Sequence, residues 1–146
     1  KKYINTPVKY YFEDTGLRNA RLNFRQTEET HIMENIIYNE LKIRGCKVDV
    51  GLVEKYGKDK NLKTTKSIYE VDFIANRGSK KYYIQSTLSL PSSEKENQEK
   101  RSLLEIKDSF KKIIVIKDDI KPRRDENGIV TIGLWNFLLD ENSLEL

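Results

Sequence analysis

The chain has 146 residues, with 27 Lys and Arg against 23 Asp and Glu, a formal net charge of +4, and a charged fraction of 34% against 37% hydrophobic. That length suits one domain over residues 1–146, since soluble domains cluster at about 100–150 residues. No apolar run reaches the ~18 residues of a membrane-spanning helix, no apolar stretch of a secretory signal follows the two N-terminal lysines, and the lone Cys46 excludes an internal disulfide or a cysteine-based zinc site. The expectation is a reducing, cytoplasmic setting without a membrane partner.

The charge is concentrated. Lys55, Lys58, Lys60, Lys63 and Lys66 stand against Asp59 alone between Lys55 and Ser67, and five minus one equals the whole net charge. Such a segment invites an anionic partner.

The first dozen residues read as extended. Their aromatic run Tyr10-Tyr11-Phe12 ends at the turn signal Glu13-Asp14-Thr15-Gly16. Residues 17–26 have no clear period, and Leu17, Leu22 and Phe24 are expected to anchor them on the core. Ile32, Met33, Ile36, Ile37 and Leu41 recur at three- and four-residue steps, which predicts a helix from about Glu28 to Arg44. Thr27 is its expected N-cap, and Gly45 follows its end.

Cys46, Val48, Val50 and Leu52 alternate and predict a strand over 46–53. The lysine-rich segment reads as a loop. Ile68 to Ala75 and Lys81 to Leu88 read as a hairpin turning at Asn76-Arg77-Gly78-Ser79. Ser93 is the expected N-cap of a helix to about Ser109, with Leu103, Leu104 and Phe110 apolar. The unbroken run Ile113-Ile114-Val115-Ile116 predicts a strand covered on both faces. Asp118 to Gly128 is polar. Ile129 to Ile132 reads as a short strand and Trp135 to Leu139 as a short helix.

The polar residues of the hairpin do not suit a plain core. Glu70 and Asp72 share a parity, as do Tyr83, Gln85 and Thr87 on the partner strand. An acid in a central strand needs compensation. Either the acids pair with a lysine, or Asp72, with Gln85 adding a carbonyl oxygen, belongs to a divalent-metal site of the kind that activates water in phosphodiester cleavage. Glu34, inside the first helix beside the poor helix former Asn35, is either a solvated helix edge or a carboxylate reaching toward Asp72. Glu40 is open to the same choice. His31 is the only histidine and sits in no nucleophile motif. No phosphate-binding glycine loop is present, so this chain should not hydrolyse ATP by that route.

The order helix, strand, strand, strand, helix, strand, with Val71-Asp72-Phe73-Ile74-Ala75 and then Ile84-Gln85-Ser86-Thr87 twelve residues after Asp72, resembles the core of the PD-(D/E)XK nuclease superfamily. More specifically, the chain resembles the C-terminal domain of unknown function of bacterial and archaeal AAA-type predicted ATPases. That likeness rests on Lys9-Tyr10-Tyr11-Phe12-Glu13-Asp14-Thr15-Gly16-Leu17, on Met33-Glu34-Asn35-Ile36-Ile37-Tyr38-Asn39-Glu40-Leu41, on Glu70-Val71-Asp72-Phe73, and on Arg101-Ser102-Leu103-Leu104-Glu105-Ile106-Lys107-Asp108. The resemblance implies an α/β fold with a restriction-endonuclease-like core of order αβββαβ, a mixed central sheet with a helix on each face. It also implies Mg²⁺ or Mn²⁺ as cofactor and an ATPase domain N-terminal to this one in the same chain.

Carried over by position, Asp72 falls on the metal-binding aspartate, Gln85 on the second acid, Thr87 on the catalytic lysine and Glu34 on the first-helix glutamate. Gln85 brings no negative charge and Thr87 no ammonium. Lys100 and Lys81 are weighed as substitutes for that lysine. The reading is therefore a vestigial site, in a nucleic-acid-binding or regulatory accessory domain that cleaves little or nothing. Lys55, Lys58, Lys60, Lys63 and Lys66 are expected to hold nucleic acid beside Asp72. The competing readings are a metal-dependent DNA nuclease with a migrated lysine and a protein-interaction module forming homo-oligomers.

Overall fold

The computed structural model describes residues 9–25, 28–58 and 64–146. The elements in chain order are α1 (Thr15–Arg21), α2 (Glu29–Ile43), β1 (Lys47–Lys58), β2 (Thr64–Arg77), β3 (Lys80–Thr87), α3 (Ser93–Glu105), β4 (Lys111–Ile116), β5 (Arg123–Arg124), β6 (Val130–Gly133) and α4 (Leu134–Leu139), followed by a 3₁₀ turn at Ser143–Glu145. The six strands form one mixed sheet of order β1-β2-β3-β4-β6-β5. β3, β4 and β6 are parallel neighbours, while β1, β2 and β3 run antiparallel and β5 pairs antiparallel with β6. No helix among the described residues is long and apolar enough to cross a membrane.

Helices cover both faces. On one face Met33, Ile37 and Leu41 of α2 and Phe137 of α4 pack on Phe73, Ala75, Tyr82, Ile84, Ile113 and Val115. On the other, Leu103 of α3 packs on Val71, Tyr83, Ile114 and Ile116. β4 supplies both clusters, which is why its apolar run is unbroken.

Several expectations shift. α1 forms where no period was visible: the Asp14 carboxylate caps it by accepting from Leu17 N–H at 3.0 Å. It buries no residue. Leu17, Leu22 and Phe24 are exposed, so they do not anchor this stretch. Thr27 lies outside the described residues, and Glu28 precedes α2 without a side-chain cap bond. Ser92 rather than Ser93 caps α3, accepting from Lys95 N–H at 3.2 Å. α3 stops at Glu105 because Ile106 turns extended, with φ −78° and ψ 120°, and so Leu104 and Phe110 stay partly exposed.

The lysine segment is not a simple loop. β1 and β2 pair as a ribbon out to Lys58 and Thr64, so Lys55 and Lys66 stand on strands. Lys60 and Lys63 lie outside the described residues. Val50 and Leu52 are exposed because this ribbon runs past the helices that cover the sheet. Beside the core, β1 advances two residues from Asp49 to Gly51 while β2 advances three from Ile74 to Val71. The extra residue makes a bulge in β2. Val71 faces α3, Phe73 faces α2, and the bulge puts Asp72 on the α2 side with Phe73.

At the far end of the sheet, backbone packing tolerates no side chain. A Cβ on Gly133 would stand 2.7 Å from Asp118 O and 3.1 Å from Ile120 N. Gly133→Ala is expected to cost about 1–3 kcal/mol, read as a lower urea midpoint with an unchanged slope. An unchanged midpoint would show that the 118–120 backbone yields freely.

Candidate functional site

Asp72 is 7% exposed. Its Oδ2 accepts from Ser86 N–H at 2.8 Å and from Ser86 Oγ at 3.0 Å on β3. Its Oδ1 lies 3.7 Å from Lys9 Nζ. The same ammonium is 2.5 Å from Glu70 Oε1 and 3.2 Å from Glu34 Oε2. One cation therefore holds three carboxylates, from β2 and α2, together.

The segment that delivers Lys9 is clamped to α2. Phe12 N–H donates to Asn35 Oδ1 at 2.7 Å, and Asn35 Nδ2 donates back to Phe12 O at 2.7 Å. Asn39 Nδ2 adds a bond to Phe12 O at 2.9 Å. Asn35 is buried, so its poor helix propensity is offset by satisfying an extended backbone, as a neighbouring strand would. Tyr11, between Lys9 and the clamp, stacks on Tyr38 with centroids 4.2 Å apart and planes 9° apart. Its hydroxyl is buried and has no hydrogen-bond partner among the described residues.

The electrostatics follow from burial. Desolvation pushes the Asp72 carboxyl up to about 6; the Glu34 charge adds to this, while the Ser86 bonds and Lys9 hold it back. Burial works against the Lys9 ammonium, but the bond to Glu70 and the charges of Asp72 and Glu34 outweigh it and hold the group above the ordinary lysine value. Burial also raises the Tyr11 hydroxyl to about 12.

The other sequence candidates lie elsewhere. Gln85 accepts from Ser102 Oγ on α3 at 3.4 Å, so its side chain is engaged away from Asp72; Ser86 takes the place beside the acid. Thr87 is buried and its hydroxyl donates to Ser89 O at 3.4 Å. Residues 85–87 still line an open hollow of about 160 Å³ with Glu34 and Asp72. Lys100 pairs with Glu96 at 2.6 Å and Asp125 at 2.8 Å, and Lys81 lies over the rings of Tyr83 and Phe110. Neither serves Asp72. Glu40 pairs with Arg44 at 2.7 Å, and His31 is exposed at the helix edge, 3.9 Å from Glu28.

Lys55 pairs with Glu105 at 2.6 Å and Lys66 with Glu54 at 2.6 Å. Thr64, at the described end of the ribbon, is eight residues from Asp72, roughly 26 Å of strand.

A divalent ion does not fit this arrangement. Among the described residues no three His, Cys, Asp or Glu side chains are grouped to hold a metal. The Asp72 oxygens are engaged by Ser86 and Lys9, and the carboxylates close on an ammonium. The signal for Lys9 was its place just before an aromatic run in a segment read as extended; nothing in the sequence told where that segment docks.

An uncharacterized protein of Haemophilus influenzae is 32% identical to the chain over 139 residues, covering 95% of the chain and 30% of the relative. The chain thus spans under a third of that relative's length. No family model matches the chain, and no solved structure matches it.

Two outcomes are expected. A carboxyl raised on folding stabilises below its unfolded value near 4 and loses that contribution as pH climbs through about 6. Relative to Asp72→Asn, the wild type should therefore lose up to ~3 kcal/mol between pH 4 and pH 7, measured by urea denaturation at each pH. A parallel pH dependence in the two proteins would contradict the burial of Asp72. Asn35→Ala should cost ~1–3 kcal/mol, because Phe12 N–H loses its partner, and should speed hydrogen exchange at Phe12.

Proposed function

We propose that the chain is an accessory domain of a longer AAA-type ATPase, built on a degenerate PD-(D/E)XK nuclease-like core, which binds nucleic acid or regulates the motor with little or no cleavage. The observation that carries this reading is Lys9, whose ammonium lies among Glu34, Glu70 and Asp72. A cleaving site of that class needs open acidic oxygens for a cation, and here the protein supplies the cation itself.

Further support comes from the architecture and the comparison. The run α2-β1-β2-β3-α3-β4 has the order αβββαβ, with helices packed on both sheet faces. The H. influenzae relative is longer than the chain, which matches 30% of it, so that relative has room for a further domain. The residues carried over from the resemblance fall into two groups. Asp72 and Glu34 meet at Lys9, whereas Gln85 and Thr87 are engaged with Ser102 and Ser89. The residue types at 85 and 87, a neutral amide and a hydroxyl, support a site without the second acid and the motif lysine.

The test is a nuclease assay of the chain with Mg²⁺ and with Mn²⁺, run beside a binding assay. The expected result is nucleic-acid binding that falls with salt, no cleavage with either ion, and binding unchanged in Asp72→Ala. Cation-dependent cleavage that disappears in Asp72→Ala would overturn the proposal in favour of a metal-dependent nuclease. Oligomerisation without nucleic-acid affinity would overturn it in favour of a protein-interaction module.

A further inference from the structure

The lysine ribbon accounts for the net charge, yet its described lysines are largely neutralised: Lys55 and Lys66 each sit 2.6 Å from a glutamate oxygen. The reverse holds around α1. Residues 17–25 read Leu-Arg-Asn-Ala-Arg-Leu-Asn-Phe-Arg, with three arginines and no acid. Among the described residues no carboxylate pairs with Arg18, Arg21 or Arg25. Arg18 Nη1 donates instead to the neutral Asn19 Oδ1, at 3.3 Å.

Aromatic rings are interleaved with these charges. Tyr10 is 80% exposed and Phe24 77% exposed. Phe24 is held out on a left-handed backbone, φ 51°, after Asn23 at φ 54°, a conformation that bulky L-residues rarely adopt. Between α1 and α2 lies an open hollow of about 470 Å³ lined by Tyr10, Phe12, Arg18, Leu22 and His31, with the paired Lys9 and Glu34 on its wall. Arg18 shares this hollow with Tyr10, and Arg25 follows Phe24 directly in the chain. Guanidinium groups without a paired carboxylate, together with exposed rings, are the two components of a single-strand binding surface: cations follow the phosphates and rings stack unpaired bases. A duplex keeps its bases stacked and offers nothing to the rings.

We infer that the face formed by α1, Tyr10 and Phe24 binds single-stranded nucleic acid, with Arg18, Arg21 and Arg25 on the phosphates and the rings of Tyr10 and Phe24 on the bases. This rests on the nucleic-acid-binding reading above and moves the contact from the lysine ribbon to α1. An acidic, apolar peptide is the competing occupant of such a face, and the test separates the two.

The experiment measures fluorescence anisotropy of a labelled oligothymidine and of a duplex of equal length, with four proteins: the wild type, Arg18→Glu/Arg21→Glu/Arg25→Glu, Tyr10→Ala/Phe24→Ala, and Lys58→Glu/Lys60→Glu/Lys63→Glu. The wild type should prefer the single strand, with a log–log salt slope of about −2 from three phosphate contacts. The arginine triple variant should lose at least about tenfold in affinity. The aromatic double variant should lose at least about tenfold for the single strand and little for the duplex, since stacking is worth ~1–3 kcal/mol per base.

Binding that survives the arginine reversal but is lost in the lysine variant would overturn the α1 assignment and leave the nucleic-acid reading standing. No binding of either probe by the wild type would overturn both and leave the face to a peptide. α1 buries no residue, and Tyr10 and Phe24 are exposed, so the arginine and aromatic variants should fold. Photocrosslinking of wild-type protein to an iodouridine oligonucleotide gives a check free of mutation: adducts at Tyr10 or Phe24 support the assignment, and adducts confined to β1 and β2 overturn it.

Discussion

A carboxylate inside a sheet must be compensated, and Asp72 imposes that requirement on several otherwise unrelated parts of the chain. The β2 bulge puts Asp72 on the α2 face beside Phe73, where Ser86 meets one of its oxygens with two donors. The other oxygen faces Lys9, which comes from a segment with no strand partner of its own. That segment stays in place because Asn35 gives its backbone both a donor and an acceptor from inside a helix. An unpaired buried charge costs several kcal/mol. The bulge, the strap and the buried amide on α2 are therefore one device.

Much of the scaffold was legible from local pattern. The three- and four-residue steps of Met33, Ile37 and Leu41 located α2, and the unbroken run at 113–116 located a strand buried on both sides. The β2–β3 turn was readable from Gly78, which sits at φ 61°. α1 and β5 were not readable. One is seven residues long with no buried face, and the other is two residues long within a polar stretch. Elements that short are set by capping and by neighbours, and carry no period to detect.

The site was half legible for a different reason. The conflict between Asp72's charge and its setting was visible in the sequence, and so was the misfit of Asn35 in a helix. Their resolution was not visible. Lys9 lies 25 residues before Glu34 and 63 before Asp72, and strand parity alone put Gln85 rather than Ser86 opposite the acid. A single inserted residue in β2 reverses that parity, and bulges leave little trace in hydrophobicity. Charge counting could not see long-range partners either: Glu105, fifty residues from Lys55, stands beside it, and Glu54 stands beside Lys66.

The acid cluster and the arginine face meet in one hollow, since Lys9 and Glu34 line it along with Arg18 and Leu22. The Glu34 carboxylate on that wall would repel a phosphate approaching Arg18, and Glu70 and Asp72 stand behind it around the same Lys9 ammonium. The Lys9 ammonium cancels one of those charges, and the raised pKa of Asp72 removes a second only as pH falls to about 6 and below. The strap thus does more than satisfy a buried acid. It lowers the negative field at the mouth of the hollow, which an anionic strand lying along α1 requires. Loss of the ammonium would expose the strand to the full cluster even with every arginine in place.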